Sequence, residues 1–442
     1  MNRIKLKHYL ISLFMAVMIL STGVNLKAQD ATEQWDLNRC INYALENNLS
    51  VNQARLRITS ADAELMQARG QRLPNLSASA SQNLTNSQIA DMDYNGSFSV
   101  STGVTIYNGG MINNQIQRGL KNQELSMLNL EQAQNDITLS VTQAYLNALY
   151  AKENLDYYTQ VVAASEQQVV RVKALQKAGS KARKDVADIE AQYASDRYSL
   201  VNAANNLVLQ TTTLKQILEI PVEDPFELYF PEAGVKEALG ALPSREDAFS
   251  SALNFRPEVK SSMLQEDMTR IDLMNAKAGY LPSLSLSGRL SSSYTDSYSK
   301  GYGSQLSDNL GESLGLTLSV PIFNRNATKA SVVRSQINLE IASLTVSNTR
   351  NRLLQTVERL YEDANAARQR FEAAQAQEQA SSESYRLAEE QYNIGMLNAI
   401  ELLQSKNNYL NASRELIQAK YTTVLYRKIL DFYMGVPIVL EQ

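Results

Sequence analysis

Histidine and cysteine are almost missing from this 442-residue chain, which has one of each, His8 and Cys40. A single cysteine closes no intrachain disulfide. Once the N-terminal leader described below is removed, no histidine remains. That excludes His-based acid–base catalysis, Ser-His-Asp triads and His/Cys zinc sites. Long apolar runs are lacking too: beyond the leader, no 18 consecutive apolar residues read as a membrane-spanning helix. Proline is confined to junctions, at positions 74, 221, 225, 231, 243, 257, 282, 321 and 437. From Leu120 to Ile220 the only glycine is Gly179, and from Leu316 to Met434 it is Gly395. Helix interiors tolerate both residues poorly, so this spacing predicts two long helical stretches, each broken once.

What is present begins with a leader. Arg3, Lys5 and Lys7 form a basic start, Tyr9 to Leu20 an apolar core, and "NLKAQD" offers a cut after Ala28. This is the pattern of a secretory signal peptide over 1–28. "LNRC" before Cys40 has Arg39 where a lipid-attachment signal needs a small residue, so an exported, non-lipidated protein is expected. Removing Arg3, Lys5, Lys7 and Lys27, and no acid, takes the formal net charge from −4 to −8. An acidic chain is poorly suited to nucleic acid or to anionic membrane surfaces.

The chain is also a duplication. "YALENNLSV" from Tyr43 aligns with "SALNFRPEV" from Ser251 at an offset of 208, which Leu73-Pro74 and Leu281-Pro282 keep. Further on the offset is 216: Tyr145 matches Tyr361, Gly179 matches Gly395, and Pro221 matches Pro437. The first repeat is expected over 29–221, with strands 75–85 and 97–107, a long helix 110–177 and a return helix 182–220. The second covers 246–437, with strands 283–293 and 314–323, a long helix 326–393 and a return helix 397–434. An irregular Pro-rich connector, 222–245, joins them, and 438–442 is a short tail. The long helices would measure about 100 Å at ~1.5 Å per residue. In the first of them Val141, Ala144, Ala148, Ala151, Val169 and Val172 belong to a coiled-coil seam rich in small residues.

Each strand alternates strictly. The first sets Leu76, Ala78 and Ala80 against serines, and the second sets Phe98, Val100, Val104 and Ile106 against Ser, Gly and Thr. The third sets Leu284, Leu286 and Leu290 against Ser285, Ser287 and Arg289. The fourth sets Leu314, Leu316, Leu318, Val320 and Ile322 against Gly315, Thr317, Ser319 and Pro321. A period of two puts each set on one face of a sheet, one face aliphatic and the other small and mostly neutral. Long polar loops follow, from Asn86 to Gly96 and from Thr295 to Glu312. Short turns on one side and long loops on the other suit an outer-membrane barrel. Four strands cannot close one, and lipid forbids an open edge, so oligomerisation has to supply the rest. The expected fold class is mainly α with a small β part: duplicated long-helix hairpins form an α-helical barrel, and four strands per chain enter a twelve-stranded trimeric β-barrel.

The duplicated "LP.L" junctions, "IYNGG" (Ile106 to Gly110), "VPIFNRN" (Val320 to Asn326) and the glycine hairpins give the chain its resemblance. From about Trp35 to Pro437 it resembles the outer-membrane efflux proteins of the TolC type. The resemblance implies a homotrimeric channel-tunnel, set in outer-membrane lipid and extending into the periplasm. It would be closed at its periplasmic tip and would meet a periplasmic adaptor (membrane fusion protein) and an inner-membrane pump. It implies no enzyme activity and no cofactor. Carried over residue by residue, the tip tyrosine falls on Tyr392, a ring carboxylate on Glu401 and a hairpin aspartate on Asp185, beside Gly179 and Gly395. The latch arginine's position holds Leu397, and the second ring acid's holds Gln404. Arg183 and Lys184 are candidate replacement cations, and Lys177, Lys181, Arg183 and Lys184 are candidate adaptor contacts. Arg289 is a candidate pore-lining residue. The alternative function is a soluble periplasmic coiled-coil scaffold or adaptor with a docked sheet.

Overall fold

The computed structural model describes residues 34–86, 93–221, 223–231 and 238–439. The expected signal peptide, the middle of the first strand loop and parts of the connector lie outside these residues. Repeat one comprises α1 (Leu37–Asn47), α2 (Leu49–Gly70), β1 (Asn75–Thr85), β2 (Asp93–Asn108), α3 (Met111–Lys177) and α4 (Arg183–Ile217). Repeat two comprises α5 (Arg245–Phe255), α6 (Pro257–Ala278), β3 (Ser283–Thr295), a short α7 (Tyr302–Asp308), β4 (Gly311–Ser319), α8 (Ala327–Asn393) and α9 (Ala399–Tyr433). The duplication is literal in length. α1 and α5 each have 11 residues and α2 and α6 each have 22; α3 and α8 have 67, and α4 and α9 have 35.

Local chemistry sets the ends of these helices. The Asp36 carboxylate accepts from Arg39 N at 2.7 Å, and Asn48 Oδ1 accepts from Ser50 N at 2.9 Å, so α1 and α2 are each capped by a side chain at their start. Pro257 opens α6, where no backbone donor is needed. Both long helices stop at a glycine in the left-handed region, Gly179 at φ +81° and Gly395 at φ +83°. There Ser180 N reaches Leu175 O at 3.0 Å, and Met396 N reaches Gln391 O at 2.9 Å. These bonds satisfy carbonyls that a helix end would otherwise leave open.

The four strands form one antiparallel sheet in the order β1-β2-β3-β4. Register follows the alternation: Ala78 faces Val100, which faces Leu290, and Leu286 faces Leu316. On the other face, Ser77, Ser79 and Ser81 pair with Ser101, Ser99 and Ser97 at Oγ–Oγ distances of 2.9, 2.8 and 2.7 Å. This hydroxyl ladder explains why that face is written in serine: the side chains satisfy one another across the strands.

The sheet departs from the sequence reading in several places: β2 already begins at Asp93, inside the expected loop Asn86 to Gly96 and before the expected 97, and β3 runs to Thr295, past the expected 293. A bulge between Thr105 and Tyr107 sets Tyr107, not Ile106, opposite Leu284. The aliphatic face therefore ends on a tyrosine, because one extra residue in β2 reverses the alternation. β4 runs from Gly311 to Ser319, earlier than the expected 314–323, and leaves Val320, Pro321 and Ile322 outside the strand. Pro321 has no N–H to continue a ladder. The expected loop Thr295 to Glu312 holds α7, fastened by buried Gln305, whose Nε2 donates to Thr295 O at 2.9 Å and to Lys300 O at 2.7 Å.

The main core lies where the connector meets α1, α3, α4 and α9, and gathers Leu37, Cys40, Val141, Leu149, Leu214 and Val424 with Tyr145. The Tyr145 hydroxyl donates to Tyr229 O at 2.6 Å, and Trp35 N donates to Glu227 O at 2.8 Å. The connector is thereby strapped to the start of repeat one. Burial pushes the Cys40 thiol up to about 12, which makes it a packing residue and not a reactive one.

The C-terminal end of α9 closes with Gly435 at φ +89°, where an added Cβ would lie 2.7 Å from the Phe255 ring. Gly179 has a similar φ but open space around it. Gly435→Ala should therefore lower the thermal midpoint clearly more than Gly179→Ala, whose cost is about 1 kcal/mol from conformation alone. Equal shifts in differential scanning calorimetry would show that the Phe255 contact is immaterial.

Candidate functional site

Two surfaces carry the sequence-expected residues: the serine face of the sheet, and the place where the hairpin turns meet. On the sheet, Arg289 lies opposite Ser101 and Ser313, exposed on the serine face. It is the one charged residue in the row that β3 gives to this face, between Ser287 and Ser291. A cation so placed would bias a lumen on that face toward anions. The opposite face exposes Leu76, Val100, Leu290, Leu314, Leu316 and Leu318. Edge strands β1 and β4 have no second neighbour among the described residues.

At the far end, Val172, Ile189, Ala388, Tyr392, Ala399 and Leu402 form a buried cluster shared by α3, α4, α8 and α9, so both hairpin turns sit at one level. Tyr392 is 4 % exposed, and its hydroxyl is buried without a hydrogen-bond partner among the described residues. Burial and the Asp185 charge raise its pKa. Lys181, in the first turn, crosses to it. Its Nζ donates to Tyr392 O at 3.1 Å and sits 3.7 Å from the ring centroid. An ammonium over an aromatic face is worth about 0.5–2 kcal/mol, depending on desolvation.

Lys181 is also the repeat counterpart of Leu397, 216 residues on, the position where the resemblance looks for an arginine. Leu397 instead packs against the tip cluster. The cation that reaches the tip tyrosine thus comes from the other hairpin. Of the remaining basic candidates, Lys184 bonds Asp188 at 2.8 Å on its own helix, while Lys177 and Arg183 are exposed.

Asp185 and Glu401, again 216 apart, hold the same position in the first turns of α4 and α9. Asp185 Oδ2 accepts from Ala182 N at 3.2 Å. Glu401 and Asn398 close a capping box, with Glu401 N donating to Asn398 Oδ1 at 2.9 Å and Asn398 N to Glu401 Oε2 at 3.3 Å. Glu401 is exposed, and the cap occupies one carboxylate oxygen. Its charge stays at the rim of the turn.

The seam between the hairpins holds contacts that the sequence reading missed. Gln168 Nε2 donates to Tyr385 Oη at 2.6 Å, and Arg171 lies 3.4 Å from Glu389. Higher up, Lys420 and Tyr421 reach the Glu153 carboxylate at 2.7 and 2.6 Å. Between these levels Lys406, Asp196 and Ser165 form a buried polar cluster. The available signal was placement: Lys406 falls on the apolar period of α9, four residues past Leu402. Among the described residues no group of His, Cys, Asp or Glu side chains is placed to hold a metal ion, and no helix is long and apolar enough to cross a membrane.

Comparison with known proteins agrees with this layout. The family model for outer membrane efflux proteins matches residues 40–218 and again 248–436, once per repeat. Outer membrane protein TolC of Salmonella enteritidis is 24% identical over 309 residues, covering 68% of this chain and 61% of that protein. The chain thus spans about three fifths of that relative's length. The toluene efflux pump outer membrane protein TtgC of Pseudomonas putida is 26% identical over 404 residues, covering 86% of this chain and 79% of TtgC. Among solved structures, CusC superposes with a TM-score of 0.80 at 16% identity, covering 92% of this chain and 93% of CusC, a likeness of fold. With both repeats matched, the chain belongs to the outer membrane efflux protein family, whose members are outer-membrane channel proteins and not enzymes.

Proposed function

We propose that the protein works as a homotrimer in which each chain gives four strands to a twelve-stranded outer-membrane barrel and two hairpins to an α-helical barrel beneath it. It is the passive exit duct of a tripartite efflux or type I secretion system. It receives cargo from an inner-membrane pump through a periplasmic adaptor, and cargo choice lies with the pump. The observation that carries this reading is the sheet itself. An exposed aliphatic face, a serine face and two unpaired edges on one four-stranded sheet are a liability in water. Closure by neighbouring copies in lipid removes that liability. Exposed Val333, Ile337, Ile341 and Leu344 make a stripe on α8 that suits a neighbouring copy.

The duct is gated at the hairpin turns. Lys181 on Tyr392 is the inter-hairpin latch, and three Glu401 carboxylates ring the constriction. Lys177, Arg183 and Lys184 face outward, where an adaptor would meet them.

Purified chain in detergent should scatter light as a trimer and give small, mostly closed conductance in planar bilayers. A water-soluble monomer without conductance would overturn the duct and favour the scaffold. Lys181→Ala should raise resting open probability roughly tenfold, the equivalent of about 1.4 kcal/mol. Glu401→Gln keeps the cap but removes the charge, so reversal potentials should show weaker cation preference while thermal stability holds; an unchanged reversal potential removes Glu401 from the ring. Leu316→Arg should block membrane assembly, since arginine on a barrel's lipid face costs ~2–4 kcal/mol at the midplane, whereas Ser287→Arg should assemble. Equal assembly of both variants would mean that the two faces are wrongly assigned.

A further inference from the structure

Lys406, Asp196 and Ser165 come from three helices, α9, α4 and α3, and are 3, 4 and 2 % exposed. Lys406 Nζ lies 2.8 Å from Asp196 Oδ2 and donates to Ser165 Oγ at 2.7 Å. Ser165 Oγ also lies in hydrogen-bonding reach of Asp196 and of Val161 O, and Gln192 Nε2 donates to Asp196 Oδ1 at 2.8 Å. The cluster therefore ties the second hairpin to both helices of the first. It lies seven residues into α9 and thirteen into α4, ~10–20 Å from the turns at ~1.5 Å per residue.

Its surroundings differ above and below. Toward the turns, the seam is held by the Gln168–Tyr385 hydrogen bond, by Arg171 and Glu389, which are 52 and 36 % exposed, by the Lys181 contact and by the apolar cluster around Tyr392, with no buried ion pair. Away from them, Tyr157 Oη donates to Leu410 O at 3.1 Å, and Glu153 binds both Lys420 and Tyr421. A buried ion pair contributes little net stability, because desolvation offsets its attraction. What it does supply is intolerance of misplacement: a slide of one helical turn, ~5.4 Å, would leave an ammonium and a carboxylate buried and unpaired. Swinging the hairpins apart at the tip opens the apolar cluster around Tyr392 to water but leaves no buried charge unpaired.

We propose that Lys406, Asp196 and Ser165 are positioning residues: a buried pin that fixes the axial register of α9 against α3 and α4. Tip opening, on the gated-duct reading above, then proceeds by the turns swinging apart below the pin and not by one hairpin sliding along the other. A single polar group buried in a coiled-coil seam is the best-attested register device of this kind.

The test uses the full-length trimer in detergent, with spin labels at Asp156→Cys on α3 and Arg414→Cys on α9, both exposed and above the pin. Native Cys40 is wholly buried and offers no competing label site. With the pin intact, the label distances should stay narrow, both in the otherwise unchanged protein and in Lys181→Ala. In Lys406→Met combined with Asp196→Leu, which replaces the ion pair with apolar side chains, a second population should appear, displaced by about one helical turn. An unchanged narrow distribution in that double variant would overturn the pin, as would sliding in Lys181→Ala with the pin intact. Lys406→Met alone should assemble poorly, and the double variant should restore the yield of trimer. Conductance recorded in parallel separates the two claims: no change in Lys181→Ala would refute the gate, while the label distances would still decide the pin.

Discussion

The backbone groups on the outer edges of β1 and β4 set the terms for the rest of the molecule. Each edge presents a row of N–H and C=O groups, and the sheet between them exposes leucines on one side and hydroxyls on the other. In water such an edge invites aggregation, and in hydrocarbon each unmet group costs several kcal/mol. The chain cannot fold this problem away, because its helices run down from the sheet and do not cover it. Closure has to come from outside, and that requirement is the ground for proposing neighbouring copies, a lipid setting, and a lumen lined largely by serine with Arg289 among it.

The helical part answers a different demand. Hairpins of this length need a seam that stays in step over many turns. Alanine and valine provide close approach but little specificity, since one small residue packs much like the next. Polar groups placed sparingly in the seam correct this. Glu153, Asp196 and Gln168 of the first hairpin each bind a residue of the second, and each bond has a single satisfactory register.

Much of this was legible in the sequence because the repeats are long and strongly periodic. The offset of 216 locates both turns, and the alternation of Ser with Leu gives both faces of the sheet. The signal is weakest where one residue changes the geometry. The bulge that brings Tyr107 onto the aliphatic face leaves no mark in the alternation, since Ile106 fits the pattern equally well. Helix α7 is held by polar contacts, Gln305 on Thr295 O and Ser292 Oγ on Leu306 O, and by Tyr302 against Tyr294, with no hydrophobic period behind it. At the tip, sequence order pointed to Arg183 and Lys184 as cations for the latch, because they adjoin Asp185. The turn geometry instead sends Lys181 across to Tyr392. The Lys406 cluster was hidden for a related reason: a charged residue on a helix reads as solvated until the neighbouring hairpin is in place.

The equal lengths of the paired helices have a consequence for how such a chain can change. With α3 and α8 both of 67 residues, the two turns meet at one height, and Lys181 meets Tyr392 there. Losing one residue from either helix would move its turn by ~1.5 Å and rotate it by about 100°, taking the contact apart. Length in this protein is therefore a property shared by two stretches of sequence separated by an offset of 216 residues. Keeping the two turns at one height requires that a length change in both helices of one hairpin be matched in both helices of the other, a constraint that falls on length and not on the identity of most residues.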